Sequence, residues 1–276
     1  MKQFVLPATY AGEGELTVSG RDYHYLRRVR RFSEGDTFPG RSRDGAPYQL
    51  TVAEVGSNSM RLLARPAARG LDAAPDTEAG SADPIAGPGG GGPTAGGAAA
   101  PDIVLYQCLP KARKLDQIVR QTVEAGVTRI VPVTSRRAVK RLEAGEQLEG
   151  KLARWRRIAE EAVQQSGRAT VPAVEPVRDL PELPPVGAGE SEVGLLFYEK
   201  ALADQGIGSY LSAGPRRVAI VIGPEGGLSD DEVDILDRRG FNSVSLGPNV
   251  LRTETAAIYA IAAVQSVYRE LVAWNQ

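Results

Sequence analysis

Residues 217–255 decide the fold class, and they read RVAIVIGPEGGLSDDEVDILDRRGFNSVSLGPNVLRTET. The predicted elements, in order, are strand Arg217–Ile222, helix Ser229–Arg239, strand Ser243–Leu246 and helix Thr253–Val272. The first helix carries a capping box, in which Ser229 is followed three residues later by Glu232, and Gly240 stands just beyond its end. Such alternation of strand and helix is typical of a parallel sheet.

The same alternation extends upstream to residue 102. Further strands are predicted at Asp102–Cys108, Thr128–Thr134 and Val193–Tyr198, and further helices at Ala112–Ala125 and Gly150–Ser166. The helix before Gly126 is amphipathic, with its apolar residues on one side. Pro132 weakens the middle strand, because proline cannot donate a hydrogen bond to a neighbouring strand. We predict that residues 102–276 form one α/β domain.

The first 68 residues have a different pattern of short alternating segments separated by turn residues. Strands are predicted at Lys2–Leu6, Glu15–Val18, Thr37–Gly40, Tyr48–Val55 and Met60–Ala64. One helix interrupts them, with Tyr23, Leu26 and Val29 recurring on one side at helical spacing. This arrangement is typical of a small β-barrel or sandwich. Residues 69–101 consist mainly of Gly, Ala and Pro, a composition that predicts a flexible linker between the two domains.

Composition excludes several classes of protein. The chain has 276 residues and a net charge of −1, so a nucleic-acid partner would have to meet local basic patches. One cysteine and one histidine, Cys108 and His24, exclude an internal disulfide and a Cys/His zinc site, and no metal is expected. The N-terminus lacks a long apolar segment, and no apolar run is long enough for a transmembrane helix. We therefore expect a cytoplasmic protein with no membrane partner.

Two loops follow consecutive strands at the end where α/β sheets bind ligands. The first is Gly223–Leu228, where glycines let the backbone approach a ligand and proline stiffens the turn. The second is Gly247–Thr255, which offers backbone amides at a helix start together with Arg252 and Glu254. Either loop alone is also compatible with a tight connection. Together, at the tips of neighbouring strands, they predict a shared ligand pocket.

These motifs resemble a known family. IGPEGGLSDDEV and LGPNVLRTETAA are similar to the signature of the bacterial enzymes that methylate N3 of a uridine in small-subunit ribosomal RNA, which belong to the SPOUT class. Upstream similarity covers KARKLDQI from Lys111, EAGV from Glu124 and RWRRIAEEAVQQSGR from Arg154. In front, HYLRRV from His24 resembles a PUA-like RNA-binding domain. Ala112 departs from the pattern, because the family usually has glycine there.

The resemblance implies a cofactor and an architecture. The cofactor would be S-adenosylmethionine, the C-terminal domain would carry a deep trefoil knot, and two subunits would form a homodimer. The substrate would be 16S ribosomal RNA or the small ribosomal subunit. The implied cofactor-binding residues are Gly223, Gly226, Gly227, Leu246, Gly247 and Leu251.

Methylation at N3 suggests roles for three polar side chains. Loss of the N3 proton leaves charge on the uracil carbonyl oxygens, and a guanidinium nearby would stabilise it. Arg252 is our candidate for that role. Glu254 could orient Arg252 or accept a proton, and Glu225 is a second carboxylate of the same pocket. Two structural alternatives stay open. Arg252 and Glu254 form only an ion pair that closes the loop, or Glu225 only binds backbone amides of the turn that contains it.

Substrate RNA is expected to meet several clusters of cations. The first contains five arginines between Arg21 and Arg31, and three further clusters begin at Lys111, Arg136 and Arg154. The residues that we assign to RNA contact are His24, Arg27, Arg31, Lys111, Arg137, Gln165 and Arg168. A base modified on its Watson–Crick edge must be unpaired or extruded.

Two other functions stay open. One is a SPOUT methyltransferase that acts on transfer RNA or on a ribose hydroxyl. The other is a non-catalytic RNA-binding protein that retains a cofactor pocket. A dehydrogenase is disfavoured, because no G-x-G-x-x-G motif follows a strand with an acidic residue about 20 positions later.

Overall fold

The computed structural model describes residues 4–7, 10, 14–67, 100–138, 146–187, 191–198 and 205–274. Contacts between residues divide the chain into two compact units. The first unit is Met1–Gly92 with Val163–Val171, and the second is Pro93–Ala162 with Pro172–Gln276. The predicted linker, residues 69–101, lies outside the described residues apart from its last two positions.

A five-stranded sheet forms the first unit. Its strands are β1 (Phe4–Val5), β2 (Gly14–Ser19), β3 (Thr37–Arg41), β4 (Pro47–Val55) and β5 (Ser59–Pro66). They lie in the order β1-β3-β4-β5-β2, with β1 parallel to β3 and the other pairs antiparallel. Successive residues of a strand face opposite sides. As a result, Leu50 and Val52 of β4 and Met60 and Leu62 of β5 are at most 1% exposed and form the centre of the core.

The predicted helix of the first unit changes its winding halfway. Helix α1 spans Gly20–His24, and a π-helical turn follows over Tyr25–Val29. Tyr23 and Leu26 are buried in the core, as their spacing predicts. Val29 is 65% exposed, so its placement on the same side was wrong. The physical reason is that a π turn contains more residues than an α turn and rotates Val29 away from the core.

A seven-stranded parallel sheet forms the centre of the second unit, which confirms the predicted α/β class. Its strands are β6 (Asp102–Cys108), β7 (Arg129–Thr134), β8 (Ala173–Val174), β9 (Arg178–Asp179), β10 (Glu192–Phe197), β11 (Arg217–Ile222) and β12 (Phe241–Val244). The order is β12-β10-β11-β6-β7-β8, and β9 also pairs with β7. The two-residue strands β8 and β9 were not predicted, because so short a segment shows no periodicity.

Pro132 lies in β7 at a place that tolerates proline. The outer edge of β7 pairs with β8 at Arg129 and Ile130 and with β9 at Val133 and Thr134. Pro132 therefore falls in the gap between these two short partners. No partner strand on this edge needs a hydrogen bond from position 132. The missing N–H of proline therefore does not interrupt the strand.

Helices accompany the sheet in the second unit. They are α2 (Lys114–Glu124), α3 (Glu146–Ser166), α4 (Ile207–Leu211), α5 (Asp230–Arg238) and α6 (Thr253–Trp274). The predicted apolar side of α2 is buried, with Leu115, Ile118, Val119 and Val123 at most 3% exposed. The capping box of α5 is present, since the Ser229 N–H donates to a Glu232 carboxylate oxygen at 2.8 Å. Within the described ranges no helix combines the length and apolarity needed to cross a membrane.

Candidate cofactor and substrate site

The two predicted loops leave the same edge of the parallel sheet. Gly223–Leu228 follows β11, and the loop from Ser245 to Arg252 follows β12. We had expected their strands to be neighbours in the sheet, and this was wrong, because β10 lies between them. Sequence order does not reveal this insertion. The carboxyl end of β10 brings Phe197 and Tyr198 between the two loops.

Both loops and the end of β10 enclose a pocket of about 260 Å³. The structure brings together seven of the nine residues that we assigned to catalysis or cofactor binding: Gly223, Glu225, Gly227, Leu246, Gly247, Leu251 and Arg252. The aliphatic side chains of Ile222, Leu228 and Ala256 complete the wall. Gly226 and Glu254 are not part of the pocket lining. The arrangement offers backbone polar groups and apolar surface to one ligand.

A buried hydrogen-bond chain joins the start of α6 to the first loop. The Thr253 hydroxyl donates to the Gly223 carbonyl at 2.8 Å and accepts from Gln107 Nε2 at 3.0 Å. The Gln107 amide also donates to the Cys108 carbonyl at 2.9 Å. Gln107 and Thr253 are 0% and 4% exposed. Sequence reasoning missed both, although a glutamine inside the apolar strand DIVLYQC was a visible signal.

Glycine is required by the backbone at one position in each loop. Gly227 has φ +68° and its N–H closes a turn onto the Pro224 carbonyl at 2.9 Å. Gly247 has φ +116°. Residues with a Cβ rarely adopt such angles, so glycine allows both turns to form. The assignment of these glycines to cofactor binding stays a prediction.

Gly226 does not line the pocket and instead contacts Arg137. Its carbonyl accepts a hydrogen bond from Arg137 Nη1 at 3.1 Å, and a Cβ at position 226 would lie 3.3 Å from the Arg137 Cβ. We had assigned Arg137 to RNA. In the structure its guanidinium supports the backbone of the first loop, Gly223–Leu228, which is a contact between residues 89 positions apart in the chain.

Lys114 holds the two candidate carboxylates together. Its Nζ lies 3.1 Å from Glu225 Oε1 and 3.1 Å from Glu254 Oε2. Both contacts are ion pairs. Both Glu225 oxygens also accept the Lys111 N–H at 3.1 Å. Glu254 therefore pairs with Lys114, and no ion pair joins it to Arg252 within the described residues.

These contacts keep all three groups charged. Burial alone would raise the pKa of Glu225 and of Glu254, but backbone N–H groups and the Lys114 ammonium outweigh it and lower both pKa values. The pKa of the Lys114 ammonium is raised, most strongly by Glu254 and next by Glu225. Both glutamates are thus ionised at neutral pH.

Arg252 lies at the rim of the pocket with its side chain exposed. Its positive charge contributes to the lowered pKa of Glu254. In the part of the chain that the structure describes, Arg252 makes no ion pair. The guanidinium is therefore available to a ligand, and the alternative of a structural pair with Glu254 is not what the structure shows.

The predicted RNA-contact residues divide between the two units. His24, Arg27 and Arg31 are exposed in the first unit, which also contains Gln165 and Arg168. Lys111 and Arg137 belong to the second unit. Lys140 and Arg141, further members of the basic cluster that begins at Arg136, lie outside the described residues.

Cys108 is a core residue, as predicted. It is fully buried, and burial raises the pKa of its thiol to about 12. Among the described residues no group of three or more His, Cys, Asp or Glu side chains is placed to hold a metal ion.

Comparison with known proteins places residues 98–265 in the family described as RNA methyltransferase domain. The chain is 28% identical to the ribosomal RNA small subunit methyltransferase E of Bacillus subtilis over 265 residues, which cover 94% of this chain and 93% of that protein. It is 38% identical to the protein of the same name from Aquifex aeolicus over 166 residues, which cover 58% of this chain and 67% of that protein.

A solved structure has the same fold. It is the ribosomal RNA small subunit methyltransferase E of Neisseria gonorrhoeae bound to S-adenosyl methionine, with a TM-score of 0.75 and 24% identity. The similarity covers 97% of this chain and 98% of that chain. It extends over both units of the present structure.

Proposed function

Because the chain belongs to the RNA methyltransferase domain family, we propose that it transfers the methyl group of S-adenosylmethionine to N3 of a uridine in 16S ribosomal RNA. Methylation of small-subunit ribosomal RNA is supported by the names of the relatives, and the cofactor by the ligand of the gonococcal enzyme. The N3 position rests on the sequence resemblance of the two loops.

The observation that carries the proposal is the pocket between the two loops, with Arg252 at its rim. Its residues fit S-adenosylmethionine. Ile222, Leu228 and Leu251 offer apolar surface to an adenine ring, and the loop backbones offer hydrogen bonds. Glu225 on the wall shares the single ammonium of Lys114 with Glu254, so these three groups keep a net charge of −1, which favours a positively charged ligand. When bound, the cofactor supplies an electrophilic methyl group on a sulfonium.

The residues around the pocket then prepare the pyrimidine. N3 of the uridine loses its proton to water as the base enters, and Arg252 stabilises the charge left on the uracil oxygens, because a fixed guanidinium is most effective where charge develops. Phe197, Tyr198 and Leu246 limit the access of water. A general base works best with a pKa near the working pH. The lowered pKa values of Glu225 and Glu254 therefore favour electrostatic and positioning roles for these two candidates over proton abstraction.

The finer architecture is also part of the proposal. We assign residues 1–68 to a PUA-like RNA-binding barrel, 69–101 to a linker and 102–276 to a SPOUT domain with a trefoil knot. The exposed His24, Arg27 and Arg31 support RNA binding by the first unit. Pairing of two chains into a homodimer is expected from the resemblance, and sedimentation equilibrium tests it. Ribosomal RNA as the substrate is consistent with a cytoplasmic location.

Mass spectrometry of nucleosides tests the function. Ribosomal RNA from cells that lack the protein should be missing one 3-methyluridine, and wild-type protein supplied in trans should restore it. Arg252→Ala protein should not restore it, whereas Arg238→Ala, an exposed change on α5, should. Loss of a methylated transfer RNA or of a ribose methyl group would favour the alternative SPOUT substrates. Unchanged RNA would favour the non-catalytic binder.

A further inference from the structure

The second unit contains another pocket, of about 370 Å³. It is formed by the loop after β6, the first turns of α2 and one side of α3. Its lining residues are Leu109, Pro110, Lys111, Ala112, Arg113, Leu115, Asp116, Lys151, Arg154 and Trp155. None of them lines the pocket between the two glycine loops. Nothing in the proposed cofactor site uses this second pocket.

The floor of the second pocket is apolar. Leu109, Leu115 and Trp155 are 7%, 3% and 5% exposed, and each contributes to the lining. Pro110 adds a rigid apolar ring. A nucleobase is the kind of group that can stack on this floor, because every base has a flat π-face.

The rim of the second pocket is positively charged. Lys111, Arg113 and Lys151 are exposed and form no ion pair with any carboxylate of the described residues. Arg154 is held by Asp116 through its Nε at 3.1 Å and its Nη2 at 2.6 Å, so that pair is neutral. Three cations therefore remain for an anionic ligand.

One hydrogen bond joins the linings of the two pockets. The Lys111 N–H on the rim of the second pocket donates to Glu225, which lines the first. This contact follows from the sheet order, since β6 and β11 are adjacent and their following loops lie side by side. An RNA strand whose uridine lies beside Arg252, at the rim of the first pocket, can therefore continue toward the second.

We propose that the second pocket binds a nucleotide of the substrate RNA that neighbours the methylated uridine. The base lies on the apolar floor, and its phosphates meet Lys111, Arg113 and Lys151. The inference rests on the proposed function, because it takes single-stranded RNA as the substrate. It adds a site that selects how the RNA strand enters, and it gives α3 a role in substrate binding.

Trp155 is a natural probe of this pocket, since the chain has two tryptophans and Trp274→Phe leaves Trp155 alone. Titration of that variant with a short oligoribonucleotide containing the methylated sequence should quench Trp155 emission. In the same variant, Arg113→Glu with Lys151→Glu should raise the RNA dissociation constant by about tenfold or more and flatten its salt dependence. Arg238→Glu is the matched control and should change the dissociation constant less than about twofold. Affinity for S-adenosylmethionine should stay unchanged in all variants.

Methylation and Trp155 emission together separate a failure of the pocket proposal from a failure of the proposed function. If RNA is methylated normally by the double variant and Trp155 emission does not respond to bound RNA, the pocket proposal is wrong and the proposed function stands. If wild-type protein neither binds nor methylates the RNA, both are wrong. If Trp155 emission instead depends on protein concentration and the double variant alters sedimentation, the pocket is a subunit interface, which also overturns the proposal.

Discussion

Arg252 is the side chain whose replacement should separate chemistry from cofactor binding. It lies at the rim of the pocket and makes no ion pair with a described residue. Arg252→Ala should slow single-turnover methyl transfer by roughly 10²–10³-fold, because one donor to a developing anion is lost. The affinity for S-adenosylmethionine should change little. An unchanged transfer rate would reject the assignment, and Arg238→Ala serves as the control.

The Lys114 cluster predicts a dependence of stability on pH. The glutamate pKa values are lowered, so their contribution is complete above the unfolded value of about 4.3 and disappears as the pH falls through the lowered values. The Lys114 pKa is raised, so its contribution to stability is complete below the unfolded value of about 10.4 and disappears as the pH rises through the raised value.

Lys114→Gln should therefore lower the melting temperature at pH 7, and the difference from wild type should shrink toward pH 3. Thermal unfolding at both pH values measures this. The control is Lys151→Gln, an exposed lysine without an ion pair among the described residues. A difference that is equal at both pH values would mean that charge pairing is not the cause.

The junction between β6, the first loop and α6 depends on Thr253. Thr253→Val keeps the shape but removes the hydroxyl that contacts Gly223 and Gln107. We expect a loss of about 1–3 kcal/mol in the free energy of unfolding, since a buried partner is left unsatisfied. We also expect weaker binding of S-adenosylmethionine. Urea unfolding and calorimetry measure the two effects, with the exposed Thr37→Val as control. A variant with the wild-type stability and the wild-type cofactor affinity would show that the first loop does not need the hydrogen bonds of Thr253.

Elements with a strong local signal were predicted well. The capping box fixed the start of α5, and the apolar side of α2 is buried as expected. Val29 and Pro132 show the limit of periodicity, because a π turn and a gap between two short strands depend on tertiary structure. The insertion of β10 between β11 and β12 is likewise invisible in the order of the sequence.

Site residues followed the same rule. The presence of Gly223 and Arg252 in one pocket could be predicted from motifs, because local turns at the strand ends place them there. Their functional roles stay predictions. The roles of Gln107, Lys114 and Arg137 depend on partners about 90 to 150 positions away, which only folding brings together.

On the scale of the whole molecule, the division into two units predicts a pattern of proteolysis. A protease at low ratio should cut first between residues 70 and 100, because a Gly-, Ala- and Pro-rich sequence offers few large apolar side chains for a core. Mass spectrometry of the early fragments locates the cuts. First cleavage within the described strands of either unit would contradict the proposed domain boundaries.

The central claim is that the two glycine loops bind one S-adenosylmethionine per chain, and isothermal titration calorimetry tests it most directly. Wild-type protein should bind the cofactor at one site. Gly227→Arg should abolish binding while the protein still unfolds cooperatively, since the new side chain brings bulk and positive charge to the wall of the pocket and disfavours the φ of +68° that the turn needs. Equal affinity of the two proteins would place the cofactor elsewhere and contradict the account.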